Sequence, residues 1–259
     1  MVKLKKYRVR LKHFVLFLTF ASVAACGTQK QQVARIEGRE IQISGQVGQS
    51  EKVDAFIEPY RQKVDRDLNT VLAYAPQTLD KNGQWQTTMG NMFSDVARQY
   101  GSRLFLKREG KPIDIVMLNN GGIRTIIPKG DVTTRTAFEI MPFENSMVVC
   151  AMRGTVVNEL VRYIITERKP HPLSGLTFTI GKSGAARNIL VNGQPLQEDQ
   201  LYYVGTNDYL YSGGDNMTFF KKSEARYDLD YKLRNILIDY FTDVDTVPLI
   251  TDERISVEK

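Results

Sequence analysis

The chain has 259 residues, 42% of them hydrophobic and 25% charged, which is long and apolar enough to bury a sizeable core. Its formal charge of +6 is unevenly placed: six of the 35 Lys and Arg precede Cys26, and without them 29 cations face 29 anions. A body that is neutral overall lacks the basic surplus that phosphate-backbone binding requires, which excludes nucleic acid as the partner class.

The N-terminus comes first in chain order. Residues 1–12 hold Lys3, Lys5, Lys6, Arg8, Arg10 and Lys12 without an acid, and the apolar run FVLFLTFASVAA follows at 14–25. A basic segment, a short apolar segment and small residues at the end are the parts of a secretory signal. The 12-residue run falls short of a membrane span, which needs about 20 residues. Val23-Ala24-Ala25 before Cys26, with Gly27 after it, resembles the bacterial lipobox. The resemblance implies cleavage before Cys26, diacylation of its sulfur and a lipid anchor in the bacterial cell envelope. Acyl burial of roughly 0.8 kcal/mol per methylene, summed over several chains, makes such an anchor stable. Cys150, in the apolar run 147–151, is then left as a small buried hydrophobe.

Composition divides the remainder into a polar tether at 26–50 and one domain at 51–259. Within the tether, Ile36, Ile41 and Ile43 mark a weak strand or hairpin. Val53, Phe56, Ile57, Tyr60, Val64 and Leu68 recur at helical spacing, with Pro59 marking a kink or a late start. A second helix is predicted over 89–100, with Met92, Phe93 and Val96 turned inward. Strands are predicted at 114–118 and 146–152, and an amphipathic helix at 155–166 after Gly154. Strands follow at 176–180 and 188–191, and Asn192-Gly193 is a type I′ turn signal. A strand at 201–206 and a closing helix at 231–240 complete the pattern. This irregular alternation predicts an α+β domain with mixed β-sheets and flanking helices.

Three clusters are candidates for binding. Met89-Gly90-Asn91-Met92-Phe93-Ser94-Asp95 opens a helix, and Asn and Gly there also serve as ordinary capping and packing residues. An apolar strand runs into Asn119-Asn120-Gly121-Gly122-Ile123-Arg124. Its glycines let a ligand approach the backbone, and Arg124 can present a charged fork to an anion. The same residues also suit a plain turn with a surface charge, and they form no P-loop. The third cluster, 206–215, ends a strand in Tyr209, Tyr211 and a Gly213-Gly214-Asp215 turn. Stacking on an aromatic ring contributes about 1–3 kcal/mol per base. Phe143, after Met141-Pro142, is the natural second ring beside Tyr209. Either ring also suits a core.

Taken in order, MGNMFSDV (89–96), NNGGIR (119–124), PKGDVT (128–133), MPFENSMVV (141–149), MRGTVVNELV (152–161) and TNDYLYSGGDNMTFF (206–220) resemble one family. It is the C-terminal, substrate-binding domain of the periplasmic and ecto-5′-nucleotidases and UDP-sugar hydrolases. The likeness covers most of residues 51–257. It implies that Phe143 and Tyr209 sandwich a base and that Asn145 bonds its edge. It implies further that Arg124 and Asp215 meet the ribose and nearby groups, that Asn120, Gly121 and Gly122 bring backbone to the substrate, and that Gly175 lines the pocket. Some family members place arginines just before the Met-Gly helix start, where this chain has 79–85, LDKNGQW, and no arginine.

The family's other half is a metallophosphoesterase with a dinuclear centre, and this chain has only His171 beyond the signal segment. Two ions and an activated water need clustered imidazoles and carboxylates. The resemblance therefore implies no cofactor in this chain, and divalent metal ions in a separately encoded metallophosphoesterase partner. The leading reading is the nucleoside- or nucleotide-recognition half of a split 5′-nucleotidase. The alternative is a stand-alone envelope lipoprotein that binds nucleosides, nucleotides or UDP-sugars without catalysis.

Overall fold

The computed structural model describes residues 11–20, 33–41, 48 and 50–258. Residues 11–20 are helical, and no helix among the described residues is long and apolar enough to cross a membrane. Residues 33–41 have no regular structure and expose Val33, Ile36 and Ile41, so the strand expected there does not form within them. The lipobox with Cys26, and Ile43, lie outside the described residues.

The body begins with helix α1 (Glu51–Leu68), which runs through Pro59 rather than starting after it. Strand β1 (Val71–Ala75) follows, and then α2 (Thr88–Glu109). Thr87 caps α2, its side chain accepting from the Gly90 amide at 2.8 Å. The cap is thus Thr87 and not the Gly90-Asn91 pair. Asn91 is buried and its Nδ2 donates to the Asp252 carbonyl at 3.0 Å, which docks the C-terminal segment. The predicted helix stopped near Tyr100, but α2 continues to Glu109. Gly101, which weakens the sequence signal, is where the helix lies against the sheet: a Cβ there would sit 2.5 Å from the Met147 side chain.

Five strands form the main sheet. They are β2 (Ile115–Met117), β4 (Ser146–Arg153), β5 (Leu173–Ser174), β9 (Leu201–Asn207) and β10 (Ala225–Lys232), in the order β10-β4-β9-β2-β5. The β2–β9 pair is parallel and the others are antiparallel. β3 (Gly130–Thr133) pairs with β1 alone. A four-stranded sheet of order β11-β6-β7-β8 holds β6 (Leu176–Ile180), β7 (Ala186–Val191), β8 (Gln194–Pro195) and β11 (Ile255–Val257). Asn192 and Gly193, both at positive φ (50° and 79°), turn β7 into β8 as the Asn-Gly signal requires.

The central strands β4, β9 and β2 of the main sheet are buried on both faces. Successive side chains of a strand point to opposite faces, and β4 divides accordingly. Met147 and Val149 pack with α2, α3 (Thr134–Ile140) and α6 (Leu233–Asp243), and Val148, Cys150 and Met152 pack with α4 (Gly154–Glu167) and the four-stranded sheet. Cys150 is fully buried, as expected, and burial pushes its thiol pKa up to about 12. The result is the α+β architecture with mixed sheets that the sequence predicts.

Candidate functional site

The parallel pair of the main sheet sets the site. β2 and β9 leave the main sheet at the same end, and β4, antiparallel to β9, enters there. Met147 lies opposite Asn207, so the residues just before β4 meet those just after β9. Three segments distant in sequence converge at this end to line one cavity of about 360 Å³. Asn119, Gly121, Gly122 and Arg124 come from the segment after β2, Phe143 and Asn145 from before β4, and Tyr209 and Asp215 from beyond β9. Tyr209 sits in the short helix α5 (Asp208–Tyr211), whose start is capped by Asn207 accepting from the Leu210 amide at 2.8 Å.

The rings are not core. Phe143 is 42% and Tyr209 46% exposed, and both border the cavity. Each is fixed from behind. The segment carrying Phe143 is held by Arg234, which pairs with Glu144 and donates to the Pro142 carbonyl at 3.4 Å, and by Lys232, which donates to the Glu144 carbonyl. The Tyr209 ring lies over Gly214, where a Cβ would come within 2.4 Å of it, so only glycine leaves room for that packing.

Asp215 is anchored at three points. Its Oδ2 accepts from Asn119 Nδ2 at 2.8 Å, its Oδ1 from the Tyr209 hydroxyl at 2.9 Å, and its carbonyl from the Tyr163 hydroxyl at 2.7 Å. These bonds hold Asp215 in the left-handed region, at φ 52°, which side-chain-bearing residues rarely adopt. The Tyr209 pKa is raised, chiefly by the hydrogen bond to Asp215, and burial raises that of Tyr163 to about 12. Both phenols therefore remain donors at neutral pH. Arg124 is exposed, donates to the Gly121 carbonyl at 3.2 Å, and lies 5.9 Å from the Phe143 ring centre, within cation–π range.

Three residues that the sequence did not single out complete this region. Asn119, and not Asn120, lines the cavity, because Asn120 begins the 3₁₀ turn Asn120–Gly122 and its amide turns back to His171 Nδ1 at 3.3 Å. His171 lies in a loop, as its flanking prolines imply, but it is 3% exposed and packs against the Tyr163 ring. Burial lowers its pKa to about 4, so the imidazole is neutral. Lys81, in the segment without arginine, donates to the Ile123 carbonyl. Its pKa is lowered by burial and then by the neighbouring charge of Arg124, so a second cation does stand near that arginine.

Gly175 is not in this cavity. It joins β5 to β6 at φ 76°, where a Cβ would overlap the Asp114 carbonyl at 2.0 Å, and it borders a separate cavity of about 190 Å³ with Asp95, Arg98 and Arg254. Its role is to pass the chain from one sheet to the other. The Met89–Asp95 cluster also lies away from the site, in the buried first turns of α2. A larger groove of about 590 Å³ runs beside α4, lined by Asn158, Arg162, Ser183 and Glu198 among others, and none of the expected binding residues reaches it. Among the described residues, no group of three or more His, Cys, Asp or Glu is placed to hold a metal ion. A dinuclear centre does not fit the residues described.

Residues 67–222 match the family described as 5′-nucleotidase, C-terminal domain. A 5′-nucleotidase of Vibrio vulnificus is 23% identical over 184 residues, 69% of this chain and 32% of that protein. The cell wall protein Lmo0130 of Listeria monocytogenes is 29% identical over 153 residues, 53% of this chain and 19% of that protein. The crystal structure of a 5′-nucleotidase precursor from Thermus thermophilus superposes with a TM-score of 0.67 at 24% identity, over 80% of this chain and 43% of that one. The chain thus spans less than half the length of each of these proteins.

Proposed function

The chain belongs to the 5′-nucleotidase C-terminal domain family, and on that premise we propose that it is the nucleotide-recognition half of a phosphate-ester hydrolase whose metals reside on a separate metallophosphoesterase. The observation that carries this reading is the convergence of two exposed rings, an amide, an arginine and an anchored carboxylate on one cavity. A nucleoside fits that chemistry. The base stacks between Phe143 and Tyr209, and the Asn145 amide bonds its edge. The ribose hydroxyls bond to Asp215, whose two oxygens each keep a lone pair beyond those already engaged. Arg124 offers its remaining donors to the substrate's anionic side.

In this reading the chain supplies position. Holding the nucleoside fixes the phosphate relative to metals on the other subunit and lowers the entropic part of the barrier. The divalent ions of that subunit polarise the phosphoryl group and generate the attacking hydroxide. Cys26 places the assembly on a membrane of the cell envelope, and nucleotide salvage outside the cytoplasm is the corresponding role.

The test is reconstitution. The mature protein, mixed with a metallophosphoesterase encoded by the same genome, raises hydrolysis of AMP or UDP-glucose well above that of the phosphoesterase alone; no change overturns the split reading. Calorimetry with adenosine, AMP and UDP-glucose identifies the ligand, and the double substitution Phe143→Ala/Tyr209→Ala abolishes its binding. Labelled palmitate enters the wild type and not Cys26→Ala; equal labelling removes the lipid anchor.

A further inference from the structure

Helix α1 carries an apolar stripe that the described residues leave uncovered. Val53, Phe56, Tyr60 and Val64 recur every three or four positions, hence on one helical face, and are 55%, 71%, 64% and 54% exposed. No residue of α1 is buried, and Ile57 and Leu68 on the flank of the stripe are half-buried. The Phe56 and Tyr60 rings touch, with centres 5.9 Å apart. Single exposed apolar side chains are normal on a surface, whereas a continuous run of four large ones marks an interaction site.

The polar bonds within the helix lie off this face. Arg61 pairs with Glu58 at 2.8 Å and reaches Asp54 at 4.0 Å, and Gln62 donates to Glu58 at 2.9 Å. At its C-terminal end, Arg135 binds Asp65 and Asn69, each at 3.2 Å, which ties the helix to α3. The Arg135 bonds thus tie the C-terminal end of the helix to α3, and none of these polar bonds uses the aromatic face.

Two observations select the occupant. The match to the family's C-terminal domain begins at residue 67, where α1 ends, and the chain covers 43% of the Thermus protein. A C-terminal domain has the rest of its protein on its N-terminal side, and α1 stands on that side. The second observation is charge. The five acids Glu51, Asp54, Glu58, Asp65 and Asp67 face the four bases Lys52, Arg61, Lys63 and Arg66. Helices that lie on anionic lipid carry a basic polar face. An apolar centre with aromatic anchors and a rim of mixed charge is instead the anatomy of a protein interface.

We propose that the Val53–Phe56–Tyr60–Val64 stripe is the docking surface for the metal-bearing phosphoesterase subunit, an assignment that rests on the split-enzyme reading above. Docking there leaves the cavity residues free to face the nucleoside, since none of the four lines that cavity.

The experiment uses the full mature lipoprotein in detergent and the phosphoesterase employed in the reconstitution. Phe56→Asp/Tyr60→Asp lowers affinity for that subunit, measured by interferometry, about tenfold or more. It lowers stimulated AMP hydrolysis at subsaturating concentration in parallel, while adenosine binding and the melting temperature stay at wild-type values. Val53→Ser/Val64→Ser moves both readouts in the same direction by less. A wild type that stimulates the phosphoesterase, with a stripe variant that stimulates it equally, overturns the docking site and leaves the split enzyme standing. A wild type that fails to stimulate overturns the split reading, and the docking site with it. A stripe variant whose only effect is to dissolve a homodimer, or to weaken binding to phosphatidylglycerol vesicles, also overturns the proposal.

Discussion

Asn119 Nδ2 donates to Asp215 Oδ2 at 2.8 Å, joining two residues separated by 96 positions of sequence. That bond closes the cavity and orients the carboxylate within it. Replacing the donor with a second carboxylate, Asn119→Asp, sets two like charges side by side and pushes Asp215 out of place. Adenosine affinity is expected to fall about tenfold, roughly what a hydrogen bond to a charged group contributes. Calorimetry at neutral pH measures it, and unchanged affinity removes Asp215 from the binding set.

Tyr209 has two separable contributions. Tyr209→Phe keeps the ring and loses the hydroxyl bond to Asp215, so affinity drops by a factor of about three, within the range of one ordinary hydrogen bond. Tyr209→Ala loses the stacking face as well, and about 1–3 kcal/mol with it. Gly214→Ala tests the same geometry from behind, because the added methyl overlaps the ring. Fluorescence titration with adenosine should rank the three variants Tyr209→Phe, then Gly214→Ala, then Tyr209→Ala, from tightest to weakest. If Tyr209→Ala binds like wild type, the base does not lie on that ring.

His171 predicts a pH dependence of stability. Its pKa is lowered in the folded protein to about 4, mainly by burial, against 6.5 for the unfolded chain. Between those values the unfolded chain takes up a proton that the folded protein refuses. The stabilising contribution is therefore complete above pH ~6.5 and is lost as pH falls toward ~4, at no more than about 1.4 kcal/mol per pH unit. His171→Gln retains an acceptor for the Asn120 amide and does not titrate. Thermal melts from pH 7 to pH 4 should fall less steeply for that variant than for wild type. Parallel curves would show that other groups set the acid limit.

Gly175 separates fold from binding. Gly175→Ala places a methyl at positive φ against the Asp114 carbonyl. The left-handed conformation costs a side-chain-bearing residue about 1–2 kcal/mol, and the overlap adds to that. The melting temperature drops by several degrees, while adenosine affinity of the folded protein, measured well below the transition, stays unchanged. A selective loss of affinity would return Gly175 to the binding site.

Much of this was legible in the sequence, for identifiable reasons. Segment 146–153 is a short continuous apolar run, 154–167 has a helical pattern and 176–180 alternates, each with glycine at an end, and they fold as those patterns dictate. The elements that escaped prediction lack such patterns. β10, ARYDLDYK, is an edge strand of tyrosines and charges with only Leu229 buried. α3, TRTAFEI, is seven residues long and is defined by the Thr133 capping box rather than by an apolar stripe. In the site, Phe143, Tyr209 and Arg124 stood out as rings and a charge near Gly and Pro, whereas Asn145 and Asp215 came only with the family resemblance; all five line the cavity. Asn119 was not readable: side by side in sequence, Asn119 and Asn120 are chemically identical, and only the 3₁₀ turn decides which of them faces the cavity. His171 was hidden for the opposite reason, since a histidine between two prolines looks exposed until the Tyr163 ring covers it.

The parallel pairing of β2 with β9 also has a kinetic meaning. Ile115 lies beside Val204, so the pair closes a loop of 89 positions (204 − 115). Contacts of such long sequence separation form slowly, because the entropy of closing the loop must be met before the pairing stabilises anything. The cavity needs that pair, and it also needs Asp215 beyond it. On the proposed function, a nascent chain acquires the Asn-Gly-Gly turn and Phe143 early, yet gains no nucleoside affinity until Asp215 has emerged. A fluorescent nucleoside added to stalled chains of increasing length would therefore time the last step of folding, and by binding only what has arrived there it would hold the native state against unfolding.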